Sequence, residues 1–228
     1  MGLDALEARL GHTFANPALL RRAMCHRSWV AESADDDLSN ERLEFLGDAV
    51  LGWVVADLVF RDFTSLAEGA LTDLRKSVVN AKALAEVAKE LGLGEHLLLG
   101  RGEDAAGGRG KTSILSDAME AVLGAVYIDG GRDVAFDLIR RLFQPRLVAA
   151  VDELHRLDFK SALQELLVRE GKPPPDYKVS STGPDHDKTF TAKVRAGRQT
   201  IGRGVGRSKK TAEMAAAADA YDTLTAGA

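Results

Sequence analysis

The apolar side chains of this 228-residue chain change their period once, and that change limits the fold more than any single motif. Up to about residue 157 they recur at three- and four-residue steps, the repeat of an amphipathic helix. Pro173-Pro174-Pro175 then stops any helix. The runs 177–181, 189–195 and 199–205 place apolar residues mostly on alternate positions, the repeat of a strand. Residues 208–225 return to a helical pattern with an Ala-rich face. The expected architecture is two domains, an all-α domain followed by a small α+β domain of order α-β-β-β-α. We set their bounds at 1–152 and 158–228, with 153–157 as a short linker.

Within the first domain the spacing predicts helices over 17–30, 40–60, 69–91, 113–128 and 133–151. Pro17 suits a first turn and Gly92 a C-terminal cap. The glycine-rich stretch 100–111 reads as a mobile loop.

Composition narrows the class. With 45% hydrophobic and 28% charged residues the chain can build a core, and one cysteine, Cys25, excludes a disulfide framework and a multi-cysteine zinc module. No apolar run approaches the ~18–20 residues of a membrane span. The first residues lack a basic leader segment, and Leu6 stands where a myristoylation signal needs Ser or Thr. A cytoplasmic protein is the expectation. The net charge of −4 argues against a nucleic-acid binder until it is divided. Residues 1–157 carry 18 Lys+Arg against 25 Asp+Glu, a balance of −7, whereas residues 158–228 carry 12 against 9, a balance of +3.

Part of that acidity is oddly placed. In Asn40–Asp48, Glu41, Glu44 and Asp48 stand at i, i+3 and i+7, on one helical face. Like charges stacked this way repel, and burial beside Leu and Phe raises the cost or forces protonation. In Ser113–Ile128, Asp117 and Glu120 are the only charged residues before Asp129, again at i and i+3. If the two helices pack together, five carboxylates converge, and a divalent cation is what tolerates them. Oxygen donors without Cys or His point to Mg²⁺ or Mn²⁺ rather than zinc. Such ions serve phosphoryl chemistry, and the spacing alone leaves nuclease, phosphatase and diphosphate-using synthase open.

The basic domain supplies a second clue. Ser208 is a good N-cap for the last helix, and Lys209 and Lys210 in its first turn oppose the helix dipole unless an anion sits there. Gln164 and Glu165 could reach sugar hydroxyls, and the loop 183–186, ending on His186, could probe a groove. Two glycine-rich runs are discarded. Gly107–Thr112 lacks the first glycine of a Walker A, since Ala105 occupies it, and Gly202–Gly206 lacks the spacing of a dinucleotide fingerprint.

These residues together resemble bacterial ribonuclease III. Asn40–Leu51 is similar to that family's signature helix nearly position for position, and His26-Arg27-Ser28, Glu68–Thr72, Gly107–Arg109 and Ser113–Gly124 are similar to further runs. Residues 158–225 resemble its double-stranded-RNA-binding domain, including Ser208–Ala216. The resemblance implies a homodimeric, divalent-metal-dependent endoribonuclease that cuts both strands of duplex RNA, leaving 5′-phosphate and 3′-hydroxyl ends with short 3′ overhangs, in rRNA and mRNA processing. It implies Glu44, Asp48, Asp117 and Glu120 at the Mg²⁺ site, with Asp48 and Glu120 catalytic. Glu41 and Glu68 are implied as accessory acids, and Gln164, His186, Lys209 and Lys210 as RNA contacts. No nucleotide cofactor or membrane is implied. The rival reading is an RNA-binding regulator that hardly cuts.

Overall fold

In a computed structural model, residues 3–33, 38–184 and 188–226 are described. The acidic run Asp35–Asp37 and His186 lie outside them. By contacts the chain divides into Met1–Ala149 and Ala150–Ala228.

The first unit is helical. It contains α1 (Asp4–Leu10), α2 (Pro17–Ala23), α3 (Arg27–Glu32), α4 (Glu41–Asp62), α5 (Glu68–Val78), α6 (Ala81–Glu90), α7 (Arg101–Ala105) and the first part of α8 (Thr112–Arg169). Gly131, at φ 80 and ψ −174, interrupts α8 and separates the two helices expected on either side of it. α4 buries Leu43, Val50, Leu51, Val54, Val55, Leu58 and Val59. Each such side chain contributes roughly 1.5–3 kcal/mol when fully buried. The facing part of α8 is apolar almost throughout, from Ile114 to Val126.

Three expectations need correction. The helix expected over 17–30 is two, because the chain at Met24–His26 pairs with Leu98: Leu98 N donates to Met24 O and His26 N to Leu98 O. The helix expected over 69–91 is also two. Asn80 begins the second, its side chain accepting from Ala83 N at 3.1 Å. The supposed loop 100–111 is ordered into α7 and a 3₁₀ turn at Gly108–Gly110. Arg109 pins it, donating to Gly94 O, Leu97 O and both Asp104 carboxylate oxygens. The helix α1, at seven residues, is too short for its period to be read.

The second unit holds the last part of α8, strands β1 (Pro175–Thr182), β2 (Thr189–Ala196) and β3 (Gln199–Gly206), and α9 (Lys209–Ala226). The sheet is antiparallel in the order β1-β2-β3, so β2 is central. Leu163, Leu167, Ala192, Val194, Ala212, Ala216, Ala217 and Ala220 form its core. The Ala-rich face is explained by β3. A Cβ at Gly202 would stand 2.5 Å from Ala216 O, and one at Gly204 2.2 Å from Ala216 N. The discarded glycine run is therefore a seat for a helix backbone. No helix among the described residues is long and apolar enough to cross a membrane.

Candidate active site and RNA-binding face

The two acidic helix faces meet because α4 and α8 touch backbone to backbone. A Cβ on Gly47 would lie 1.8 Å from Glu120 O, and one on Gly124 2.3 Å from Leu43 O. Only glycine permits that approach, and it carries Glu44 toward Asp117 and Glu120. Carboxylate oxygens of these three lie within 4.8 Å of one another, each side chain half-buried. Asn40 fixes the start of α4. It is buried, with its backbone N donating to Cys25 O and its side chain to Ala23 O.

Electrostatics record the crowding. Burial, then the charges of Asp48, Glu44 and Asp117, push the Glu120 carboxyl up to about 7. Burial, then Asp117 and Glu41, raise Glu44 above the ordinary carboxylate range. Among the described residues no Lys or Arg forms an ion pair with Glu44, Asp117 or Glu120. This donor set is all oxygen, negatively charged and short of a counter-cation, which fits a hard divalent ion.

The other expected acids are placed differently. Asp48 is exposed one turn beyond Glu44 and outside the three-acid group, near enough for its charge to act on Glu120. Glu41 is exposed, accepts from Ser39 Oγ at 2.8 Å and faces Arg27 at 3.9 Å. Glu68 opens α5 and accepts from Thr72 Oγ1 at 3.1 Å, outside the three-acid group.

A cleft of about 690 Å³ opens beside the acids, lined in part by His26, Arg27, Glu41, Glu44, Lys111 and Asp117. Sequence reasoning named Arg27 only within a run similar to the family and passed over Lys111. Lys111 Nζ pairs with Glu103 Oε1 at 2.5 Å, which holds that carboxyl below its usual range. His26 caps α3 through its ring and bonds Ser28 Oγ at 2.8 Å, and burial lowers its pKa. The only signal for Lys111 was its place directly before the acidic helix, inside the run rejected as a P-loop.

In the second unit Lys209 and Lys210 are exposed at the start of α9. Ser208 and Thr211 cap that helix reciprocally, Thr211 N donating to Ser208 Oγ at 3.1 Å and Ser208 N to Thr211 Oγ1 at 3.0 Å. Gln164 is exposed on α8, in a shallow groove with Ser161, Glu165, Val168 and Arg169. The Lys160–Glu213 ion pair, at 2.6 Å, ties α8 to α9.

Residues 16–147 match the family described as ribonuclease-III-like, and residues 159–224 match the double-stranded RNA binding motif. The chain belongs to the ribonuclease III family. Its relatives include ribonuclease 3 of Streptomyces coelicolor, 51% identical over 98% of this chain and 80% of that one. Ribonuclease 3 of Mycobacterium bovis is 52% identical over 90% of this chain and 87% of its own length. The nuclease domain of ribonuclease III from Campylobacter jejuni is similar in structure, with TM-score 0.59 and 40% identity, covering 64% of this chain and 95% of that domain. A second structure of that domain, described as flexible in a region involved in dimer formation, gives TM-score 0.56 at 40% identity, over 63% of this chain and 99% of that one. As a ribonuclease III the chain is an endoribonuclease for double-stranded RNA. The family depends on a divalent metal, and the three-acid cluster is a matching feature here.

Proposed function

We propose that the cleft between α4 and α8 hydrolyses the phosphodiester backbone of duplex RNA. Glu44, Asp117 and Glu120 would hold a divalent ion, Mg²⁺ with Mn²⁺ as substitute, and Asp48 supports that site from the exposed end. The convergence of three unpaired carboxylates carries this reading. The ion, when bound, would lower the pKa of a water and steady the leaving oxygen. Asp48 and Glu120 are the acids we assign to the reacting phosphate. A carboxyl raised to about 7 by burial and by its acidic neighbours is poised to give up its proton when a divalent ion binds, which suits a metal ligand. Arg27 and Lys111, which line the same cleft, would meet phosphates flanking the scissile bond, Lys111 by exchanging its partner Glu103 for the RNA. Glu41 positions Arg27, and Glu68 is kept as an accessory acid.

RNA enters through the second unit, where we assign Gln164, Lys209, Lys210 and His186 to the duplex, reading its shape and phosphates across ~16 base pairs. We keep the bounds 1–152 and 158–228 for the two domains. The protein acts as a homodimer. Phe45, Trp53 and Phe60 support this, standing exposed along α4 at 80%, 38% and 72%, an apolar stripe suited to a second copy. Paired centres would cut both strands, giving 5′-phosphate and 3′-hydroxyl ends with short 3′ overhangs, in a cytoplasmic role in rRNA and mRNA processing.

Gel sizing of the products from a long, perfectly paired RNA with Mg²⁺ tests the proposal. Short duplexes of narrow size are expected from wild type, and intact but bound RNA from Glu120→Gln. Bound RNA left intact by wild type would favour the sequestering regulator instead.

A further inference from the structure

The second unit has a charged face that the duplex-binding assignment does not use. Strand register sets Lys178 of β1 opposite Lys193 of β2, and Lys193 opposite Arg203 of β3. All three are exposed, on the face away from the helices: their neighbours Tyr177, Val179, Ala192, Val194, Gly202 and Gly204 turn toward α8 and α9. Strands lie ~4.8 Å apart, so three cationic stems start within about 10 Å. Arg195, two residues along β2, half-buried and donating to Arg198 O, adds a fourth charge, with Asp176 opposite it as the only acid on the described parts of the strands. Among the described residues none of Lys178, Lys193 and Arg203 has an ion-pair partner.

Like charges placed directly across strands cost stability. Lysine on an edge strand guards against pairing with other sheets, which would account for Lys178 and Arg203. It does not account for Lys193, on the central strand. A continuous polyanion offsets the repulsion along the whole row, and the polyanion this enzyme meets is its substrate.

We propose that the row Lys178–Lys193–Arg203 is a second, sequence-independent seat for an RNA phosphate backbone, on the sheet face opposite the helices. It would hold a second duplex, or a distant segment of one folded RNA, while Gln164, Lys209 and Lys210 hold the first. That this seat is a second one rests on the helix-side assignment of Gln164, Lys209 and Lys210.

The test uses the full-length chain, metal-free in chelator to prevent cutting, and a blunt 16-base-pair RNA duplex. Calorimetric titration at several salt concentrations counts duplexes per chain. Wild type should take one more duplex per chain than the triple variant K178Q/K193Q/R203Q. The extra, weaker step should lose affinity with salt at a log–log slope of about 2–3. The charge-conserving K178R/K193R/R203K should keep it, which separates lost charge from lost fold. K209A/K210A should weaken the tight step about tenfold and keep the weak one; if the tight step is unchanged there, the helix-side assignment fails while the sheet face stands. Equal stoichiometry and salt dependence in wild type and the triple glutamine variant would overturn the proposal. So would loss of the tight step in that variant, or a face that takes a poly-glutamate peptide but no duplex.

Discussion

The α4–α8 crossing and the α9–β3 seat use one packing device for opposite ends. In both, glycines let a helix backbone sit directly against its neighbour, at Gly47 and Gly124 in the first unit and at Gly202 and Gly204 in the second. In the first, close approach drives carboxylates together, half-buried and without cations, until Glu120 no longer ionises at its ordinary value. In the second, it presents lysines to solvent at a capped helix end, over a core built mainly from Leu, Val and Ala. Close packing is neutral toward function. What differs is whether charge is turned into the contact or away from it.

The largest expected break in this comparison comes from the inward charges. Asp117→Asn should lower single-turnover cleavage at saturating RNA by about 10²–10³-fold while duplex affinity moves less than about twofold. Cleavage within a few-fold of wild type would remove Asp117 from the site. Next are the glycines. Gly47→Ala and Gly204→Ala should each cost ~3 kcal/mol by overpacking, measured by denaturant unfolding. Their functional losses should separate: Gly47→Ala abolishes cutting and spares RNA binding, and Gly204→Ala does the reverse.

The outward charges should give a smaller effect. K209A/K210A should weaken duplex binding about tenfold and reduce its salt slope by roughly 1–2, with kcat at saturation unchanged. The smallest expected effect is on pH dependence. Glu120 is raised on folding from 4.5 to about 7. A carboxyl so raised supports the fold fully below its unfolded value, and that support is lost as pH rises through the folded one. The metal-free enzyme should therefore melt at lower temperature at pH 8 than at pH 5.5, by a few degrees. Glu120→Gln should narrow the gap, and added Mn²⁺ should close it for wild type alone.

Much of this was legible in the sequence for physical reasons. The period change gave the two fold types, and the i, i+3 acids in an apolar run exposed their own cost. Other features were hidden because they depend on partners distant in sequence. Nothing local says that Leu98 will pair at Cys25 and split a helix, or that Arg109 will pin a glycine-rich run into order. Lys111 and Glu103 neutralise one another across that same run, so neither looked out of place. The row Lys178–Lys193–Arg203 exists only once register is set. Small residues misled differently: Gly202–Gly206 resembled a failed ligand motif until α9 was seen resting on it.

The central claim is that Glu44, Asp117 and Glu120 act as one metal site. Its most direct measurement is a titration of Mn²⁺ into full-length wild type and into E44Q/E120Q, followed by electron paramagnetic resonance of free ion at pH 8. Wild type should bind ion that the variant does not bind, with both proteins folded by circular dichroism. Equal binding in the two would contradict the account.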